Sequence, residues 1–565
     1  MAQLLKSKLQ WMARLGRPTC TAHARAFRDQ EDGGMAIIAF FTFLLMLTMG
    51  GISIDLMRHE MERTEIQTVL DGAVLAGAGA PAGATDEEIK TIVEDFFVKS
   101  GKGDYLNDLS DDDIIATLNS RRVRATADVT LNTYLMKLMG VNTLTAAGGA
   151  TAEVRTPKLE VSLVLDVSGS MSGAKLANLK VAAKEFVTTL ITTSDPGATV
   201  ISIVPFSWTT SPGQPIYNAM IGNIDDTHDF SNCLRFEAAD YQQSYIDPIL
   251  DPLAGPKYQQ QIYTSVYGGF DNFHSSGWRS CFRDDYAEIM AFSMSEQALH
   301  DRIDLLSAGG NTSGHIGMKW GAALLDPTFQ PVATSLIAQG VVDASLTNVP
   351  ALYTEPDTKK IIVMMGDGAN TSSYYFDQNG PYRGPNSDLY ELVSQDMALD
   401  NGSYVPSGPA ETLFYLRDDE NYYSIDEDIW LNQAEFDARV NAGDGNPLLE
   451  VTDRRLDWEE AWGYMTPEYY GDITGDYGPW NDYVGSEAES GSIKNTHMSN
   501  ICTSTKGQGV TVYTIGFEVP ENGTAETKLR NCASSTLNYY AASGVNISDA
   551  FGSIASNLQS LRLTQ

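Results

Sequence analysis

The chain has 565 residues, with 38 Lys and Arg against 73 Asp and Glu, a formal net charge of −35. This length exceeds one compact core and predicts roughly two to four domains. Hydrophobic residues at 43% exclude a mostly disordered chain, and the acidity argues against a phosphate-binding surface for nucleic acid. The five cysteines are too few for a disulfide scaffold, and no Cys-x-x-Cys pair suggests a zinc ribbon.

The first predicted element is a membrane helix. Met35 to Ile54 contains no charged residue and shows no polar stripe. At 1.5 Å per residue such a helix spans about 30 Å, the hydrocarbon thickness of a bilayer. Lys6, Lys8, Arg14, Arg17, Arg25 and Arg28 precede it, whereas Arg58 and Arg63 beyond it are mixed with Asp55, Glu60, Glu62 and Glu65. The positive-inside rule places residues 1–34 in the cytoplasm and everything after Ile54 outside. A cleaved signal peptide fits less well, because the small-residue run at Ala76–Ala80 lies too far from the apolar segment. Ile52, Leu56, Ile66, Val69, Leu70, Ala73 and Val74 carry an apolar stripe onward, so the helix continues to about residue 75, where Gly and Pro break it.

This stretch resembles the N-terminal segment of TadG-like proteins of the tight-adherence (Flp) pilus assembly system. The resemblance lies in the apolar span, Ile54-Asp55, Gln67, Asp71 and the Ala-rich close at Ala73–Ala78. Type IV pilin precursors are similar but carry a Gly followed five residues later by Glu; here Gly34 is followed at that place by Ala39, which favours a permanent anchor.

Residues 80–158 read as a small α+β linker. Thr85 to Glu88 forms a capping box before Ile89, Ile92, Val93, Phe96 and Phe97 at helical spacing, and Val123, Ala125, Ala127 and Val129 alternate as in a half-buried strand. Nothing catalytic stands out, and a spacer or packing platform is expected.

Residues 159–565 hold the most informative motif. Val161 to Asp166 is an apolar strand, followed by a turn through Ser168, Gly169 and Ser170. A helix then presents Leu176, Leu179, Ala183, Phe186, Val187 and Leu190. Asp166-x-Ser168-x-Ser170 places a carboxylate and two hydroxyls on one turn, a set suited to a hard divalent cation. Open α/β sheets place ligands at this end of a strand. Gly309 to Thr312, after a helix with Leu299, Ile303 and Leu306 on one face, can add a hydroxyl; Lys360 to Asp367 is a second apolar strand ending in a carboxylate.

These residues resemble the von Willebrand factor A (VWA) domain and its metal-ion-dependent adhesion site. The resemblance implies a Rossmann-like, doubly wound α/β fold and a ligand set of Asp166, Ser168, Ser170, Thr312 and Asp367. It also implies Mg²⁺, or another divalent cation such as Ca²⁺ or Mn²⁺, held partly through water. Gly366 departs from the family, which usually has Thr or Ser there, and implies a looser surrounding shell. His315 to Gly321, Val510 to Phe517, Cys502 and Cys532-Ala-Ser resemble the TadG branch in particular. Asp549, Ala550, Phe551, Ile554, Leu558 and Leu561 read as a closing amphipathic helix. His315, three residues after Thr312, is expected to be a satisfied partner at a helix N-terminus rather than a ligand.

Two insertions interrupt the domain, at about 208–292 and 371–499. The second is rich in Tyr, Trp, Asp and Gly, as at Tyr469, Tyr470 and Asp476 to Trp480. It is either a partner-binding surface of exposed aromatics or a cap with its own small core; Asp472 and Asp476 match no EF-hand spacing. Cys20 falls on the cytoplasmic side, and Cys233, Cys281, Cys502 and Cys532 fall outside, where disulfides form. Four cysteines allow three connectivities. Pairing sequence neighbours, Cys233 with Cys281 and Cys502 with Cys532, is favoured, and buried free thiols stay open as the alternative.

The expected function is non-enzymatic: a single-pass, inner-membrane pilus assembly protein whose periplasmic domain binds a protein partner, another Tad/Flp component, through the metal. A surface adhesin using the same site is the alternative. His-Glu-x-x-His, Gly-x-Ser-x-Gly and P-loop motifs are absent, which argues against an enzyme.

Overall fold

The computed structural model describes residues 34–80, 84–116, 120–155, 158–194, 196–262, 265–267, 278–279, 281, 285–355, 358–377, 379–485 and 489–563. The predicted cytoplasmic segment, with its basic residues and Cys20, lies outside them but for Gly34. The chain divides into two compact units, Met1–Val154 and Arg155–Gln565.

In the first unit, helix α1 runs unbroken over Gly34–Ala78. It is the one helix among the described residues long and apolar enough to cross a membrane. Its first half exposes Phe40, Phe41, Phe43 and Leu45, apolar surface that water does not stabilise. Its second half is not a bare extension. Ile66, Leu70, Ala73 and Val74 are buried against Ile89, Val93 and Phe97 of helix α2 (Asp86–Lys99) and against Val123. The capping box at Thr85 and Glu88 starts α2. Strands β1 (Ile114–Ala116), β2 (Ser120–Asn132) and β3 (Thr143–Arg155) form a three-stranded sheet in that order. Thus the predicted linker region shares one core with the end of the helix, because the apolar stripe beyond Leu56 needs a partner surface.

Asp55, just past the apolar span, fixes this arrangement. Its carboxylate accepts backbone N–H groups from Tyr134 (2.9 Å), Leu135 (2.8 Å) and Met136 (2.8 Å). The Met136 N–H is the largest influence on its pKa; with Tyr134, Leu135 and nearby Arg58 it outweighs burial and holds the carboxyl below its ordinary 3.8. A depressed folded-state pKa contributes stability that is present above the unfolded value and lost as pH falls through the folded one. Asp55→Asn is therefore expected to speed amide exchange at residues 134–136 at neutral pH. It should also weaken the acid dependence of that exchange below about pH 4. Equal exchange in the two proteins at both pH values would contradict the capping role.

The second unit is built on a six-stranded sheet. In chain order its elements begin with β4 (Lys158–Asp166), α3 (Ala174–Thr192), β5 (Thr199–Phe206), β6 (Met290–Ser293) and α4 (Glu296–Leu305). Next come α5 (Gly314–Ala323), α6 (Gln330–Ala338), β7 (Thr358–Gly366) and α7 (Gly491–Gly507). The last are β8 (Thr511–Phe517), α8 (Thr524–Cys532), β9 (Tyr539–Ala542) and α9 (Ile547–Leu563). The spatial order is β6-β5-β4-β7-β8-β9. All neighbours are parallel except β6, which runs antiparallel to β5.

Both faces are covered, as a parallel sheet requires. On one face Val161, Leu163 and Leu165 pack with Leu179 and Phe186 of α3, Ile303 of α4 and Phe551 of α9. On the other, Val164, Ile362 and Val512 pack with Trp320 of α5, Leu336 of α6 and Ile501 of α7. Helix α5 lies so close to the sheet that a Cβ at Gly321 would stand 2.5 Å from Val164. The chain winds from β4 outward to β6, then returns to β7 and winds the other way. The ends of β4 and β7 therefore border the switch point where such sheets bind ligands.

The first insertion fills residues 207–289, and its Cys233 is bonded to Cys281. Lys319 of α5 anchors it by donating to the carbonyls of Asp240 (2.5 Å), Gln243 (2.8 Å) and Tyr245 (2.7 Å). The second insertion ends where α7 begins at Gly491, not at about 499. It contains an antiparallel sheet from strands between Leu389 and Arg455. Most of its aromatics are core rather than display: Trp458, Trp462, Tyr469, Tyr470 and Tyr483 are buried together, and Phe376 stacks on Trp462 at 4.9 Å. Asp472 accepts from the Tyr477 hydroxyl and Asp476 from Gly478 N–H, so both carboxylates have local partners. A second disulfide, Cys502–Cys532, joins α7 to α8.

Candidate metal-binding site

Register brings the two predicted carboxylates together. Leu165 of β4 pairs with Met365 of β7, so Asp166 and Asp367 leave adjacent strands side by side. The turn after β4 is a single 3₁₀ turn, Gly169–Met171, pinned by the fully buried Met171. Asp166 Oδ1 accepts the Ser168 N–H at 2.8 Å, and the Ser168 and Ser170 hydroxyls lie 3.0 Å apart. Ser170 donates to Asp367 Oδ1 at 2.6 Å, and Asp367 N–H reaches Asp166 Oδ2 at 3.4 Å. Asp166, Ser168, Ser170 and Asp367 thus form one hydrogen-bonded cluster.

Thr312 sits on the neighbouring loop. Gly169 N–H donates to Gly310 O (2.9 Å) and Gly309 N–H to Val167 O (2.9 Å), so this loop lies against the Ser168 turn. Thr312 is buried, and its N–H donates to the Thr371 hydroxyl at 3.0 Å. Gly366 imposes no steric rule: a Cβ there would stand an ordinary 3.8 Å from Asp166 Oδ2.

The electrostatics favour a cation. Asp166 has no exposed surface, and burial, reinforced by the charge of Asp367, pushes its carboxyl up to about 7. Two carboxylates side by side in a buried crevice repel each other unless positive charge intervenes. Here that charge comes from Lys175, a residue the sequence reading passed over. Its ammonium donates to Asp367 Oδ2 at 2.9 Å and lies 3.6 Å from Glu518. Lys175 stands in the first turn of the helix that follows the Ser turn, a position that by itself does not point to Asp367. The donor set of carboxylate and hydroxyl oxygens fits a hard cation such as Mg²⁺.

His315 lies at a helix N-terminus as expected, with Nε2 3.3 Å from Glu489 Oε1, but without hydrogen-bond geometry. It is fully buried in the first turn of α5, and neither ring nitrogen makes a hydrogen bond. Burial lowers it to about 4 against the opposing pull of Glu489.

Residues 33–80 match the family model described as "Putative Flp pilus-assembly TadE/G-like". That stretch contains α1, and the model leaves the rest of the chain unmatched. No curated protein sequence matches the chain. Solved structures with similarity include the vWF domain of the type V pili tip protein Mfa5 from Porphyromonas gingivalis. It shows 14% identity over 72% of this chain and 96% of that one, with a TM-score of 0.30. The pilus adhesin SpaC from Lactobacillus rhamnosus GG shows 10% identity over 80% of this chain and 35% of its own, with a TM-score of 0.28. The pilus adhesin RrgA from Streptococcus pneumoniae shows 12% identity over 80% and 48%, with a TM-score of 0.28. The chain therefore spans under half the length of either adhesin chain.

Proposed function

We propose that the chain is a TadG-like pilus assembly component, anchored in the inner membrane by α1. In this reading its second unit is a VWA-type domain outside the cytoplasm that binds a partner protein through a metal-ion-dependent adhesion site. The observation that carries the reading is the convergence of Asp166, Ser168, Ser170 and Asp367 at the adjoining ends of β4 and β7. Asp166, Ser168, Ser170, Thr312 and Asp367 would hold Mg²⁺. When bound, the ion supplies a Lewis-acidic position that accepts a carboxylate oxygen from the partner. The chain's own part is to hold those oxygens in place. The Gly309–Gly310 loop braces the Ser168 turn, and Lys175 neutralises Asp367 and orients it. The set supplies no general base poised beside a substrate, which suits binding rather than hydrolysis.

The test is cross-linking of the full chain in membranes, followed by mass spectrometry of captured proteins, with a topology reporter at the C-terminus. Expected are capture of pilus assembly proteins, loss of capture in EDTA, and recovery with Mg²⁺ but not Zn²⁺. Capture indifferent to chelation would overturn the metal mechanism, and a cytosolic C-terminus would overturn the anchoring.

A further inference from the structure

A second group of side chains lies apart from the oxygen cluster. His315 enters from α5, Glu489 from the residue before the α7 cap at Ser490, and His497 from the second turn of α7. One ligand atom of each lies within 4.8 Å of the other two. Glu489 Oε1 is 3.3 Å from His315 Nε2 and 2.7 Å from His497 Nδ1. We propose that His315, Glu489 and His497 form a transition-metal site with zinc(II) chemistry, separate from the Mg²⁺ site.

Three observations carry this. The donors are two imidazoles and one carboxylate, a set that serves zinc in sites that keep one position open. Bonds of about 2.0–2.1 Å in a tetrahedron place ligand atoms about 3.4 Å apart; the Glu489–His315 separation of 3.3 Å matches, and the 2.7 Å Glu489–His497 hydrogen bond would open by less than about 1 Å to admit an ion. The surroundings hold the donors as metal ligands are held. Glu489 is fixed by paired backbone hydrogen bonds with Ser373 (3.0 and 2.8 Å), and its Oε2 accepts from the Tyr375 hydroxyl at 3.4 Å. The His497 ring stacks on Tyr241 at 4.4 Å, with 9° between planes. Conserving ligand orientation through such outer contacts is how proteins tune metal sites. The buried His315 ring has only its 3.3 Å approach to Glu489 and no well-formed hydrogen bond, which leaves its Nδ1 and Nε2 polar atoms poorly satisfied without an ion.

Access and the fourth position come from a cavity of about 220 Å³ that Arg235, Phe236, Tyr241, Tyr375, Glu489 and His497 help line. Water, or an anion drawn by Arg235, can complete the tetrahedron from that side. Lys494 is a second cation nearby, besides Arg235. Its ammonium donates instead to the Ser313 and Ser373 hydroxyls, both at 2.6 Å, which hold it on a separate pair of acceptors. A bound ion would tie α5 to α7.

Cobalt(II) distinguishes the two sites, because a tetrahedral nitrogen–oxygen site gives intense visible bands and a six-coordinate oxygen site gives weak ones. The full chain in detergent, stripped of metal, is titrated with Co²⁺ and then with Zn²⁺. Expected are intense bands saturating at one equivalent, displaced by one equivalent of Zn²⁺, and unchanged in Asp166→Ala. His497→Gln is expected to weaken Co²⁺ binding by more than about 100-fold. Glu489→Gln, which keeps the side-chain shape, serves as the second variant if the first does not fold. Wild-type protein without such bands, or a folded variant of either kind with wild-type bands and affinity, overturns the site. Retention of the bands in Asp166→Ala separates this outcome from that of the Mg²⁺ reading.

Discussion

Asp166→Ala is expected to abolish Mg²⁺-dependent partner capture while leaving the second unit folded. The carboxylate is fully buried and accepts hydrogen bonds from the Ser168 and Asp367 N–H groups. On the proposed reading, removing it deletes a metal ligand. It also removes a negative charge that faces Asp367, so the metal-free fold loses two hydrogen bonds but gains relief from repulsion. Ligand binding to the folded state alone adds RT ln(1 + [L]/Kd), about 2.7 kcal/mol at a hundredfold excess over Kd. Wild-type protein should therefore melt later in Mg²⁺ than in EDTA, and Asp166→Ala should melt at the same temperature in both. Cross-linking should follow the same division. A variant that keeps the Mg²⁺ shift, or captures its partner like wild type, sinks the role given to Asp166.

Much of this site was legible because it depends on strand ends. An apolar run that stops at a carboxylate marks where a buried parallel strand meets its loop, and that pattern occurs at both Asp166 and Asp367. Nothing in the local pattern fixes which strands are neighbours; the VWA resemblance implied only that the two carboxylates belong to one ligand set, and the structure places β4 and β7 side by side. Lys175 was missed because a Lys at the start of an amphipathic helix normally faces water, and only the fold turns this one onto Asp367. The second insertion was readable only as two alternatives. Tyr and Trp serve equally as displayed anchors and as core, and the choice depends on whether enough of them find one another. Here Phe376, Trp458, Trp462 and Tyr470 do. The His315 cluster was illegible for a different reason. Glu489 and His497 lie far along the chain beyond a large insertion, so no spacing rule connects them to α5.

Lys360→Met is expected to destabilise the second unit by about 3–5 kcal/mol, because it strands a buried charge. Lys360 opens the buried stretch of β7 and pairs in register with Glu160, which follows the buried Leu159 of β4, at the end of the sheet opposite the Asp166 cluster. Their charged atoms are 2.6 Å apart, and both residues are almost wholly buried. The ammonium also donates to Leu325 O at 2.8 Å, and the other Glu160 oxygen accepts the Ala351 N–H at 2.7 Å. Burial lowers the Lys360 pKa while Glu160 pulls it up, so the ion pair survives only because each partner compensates the other's desolvation. Met fills the same space but leaves Glu160 with one donor. The double change Glu160→Gln with Lys360→Met should recover part of the loss, since neither partner is then a buried unpaired ion. Urea unfolding of the single and double variants measures both terms. Because the pair sits at the far end of the strands, the Mg²⁺ shift in melting temperature should persist in Lys360→Met. A variant that kept its stability but lost that shift would mean that the two ends of the sheet are coupled, and that Asp166 and Asp367 are positioned by more than their own loops.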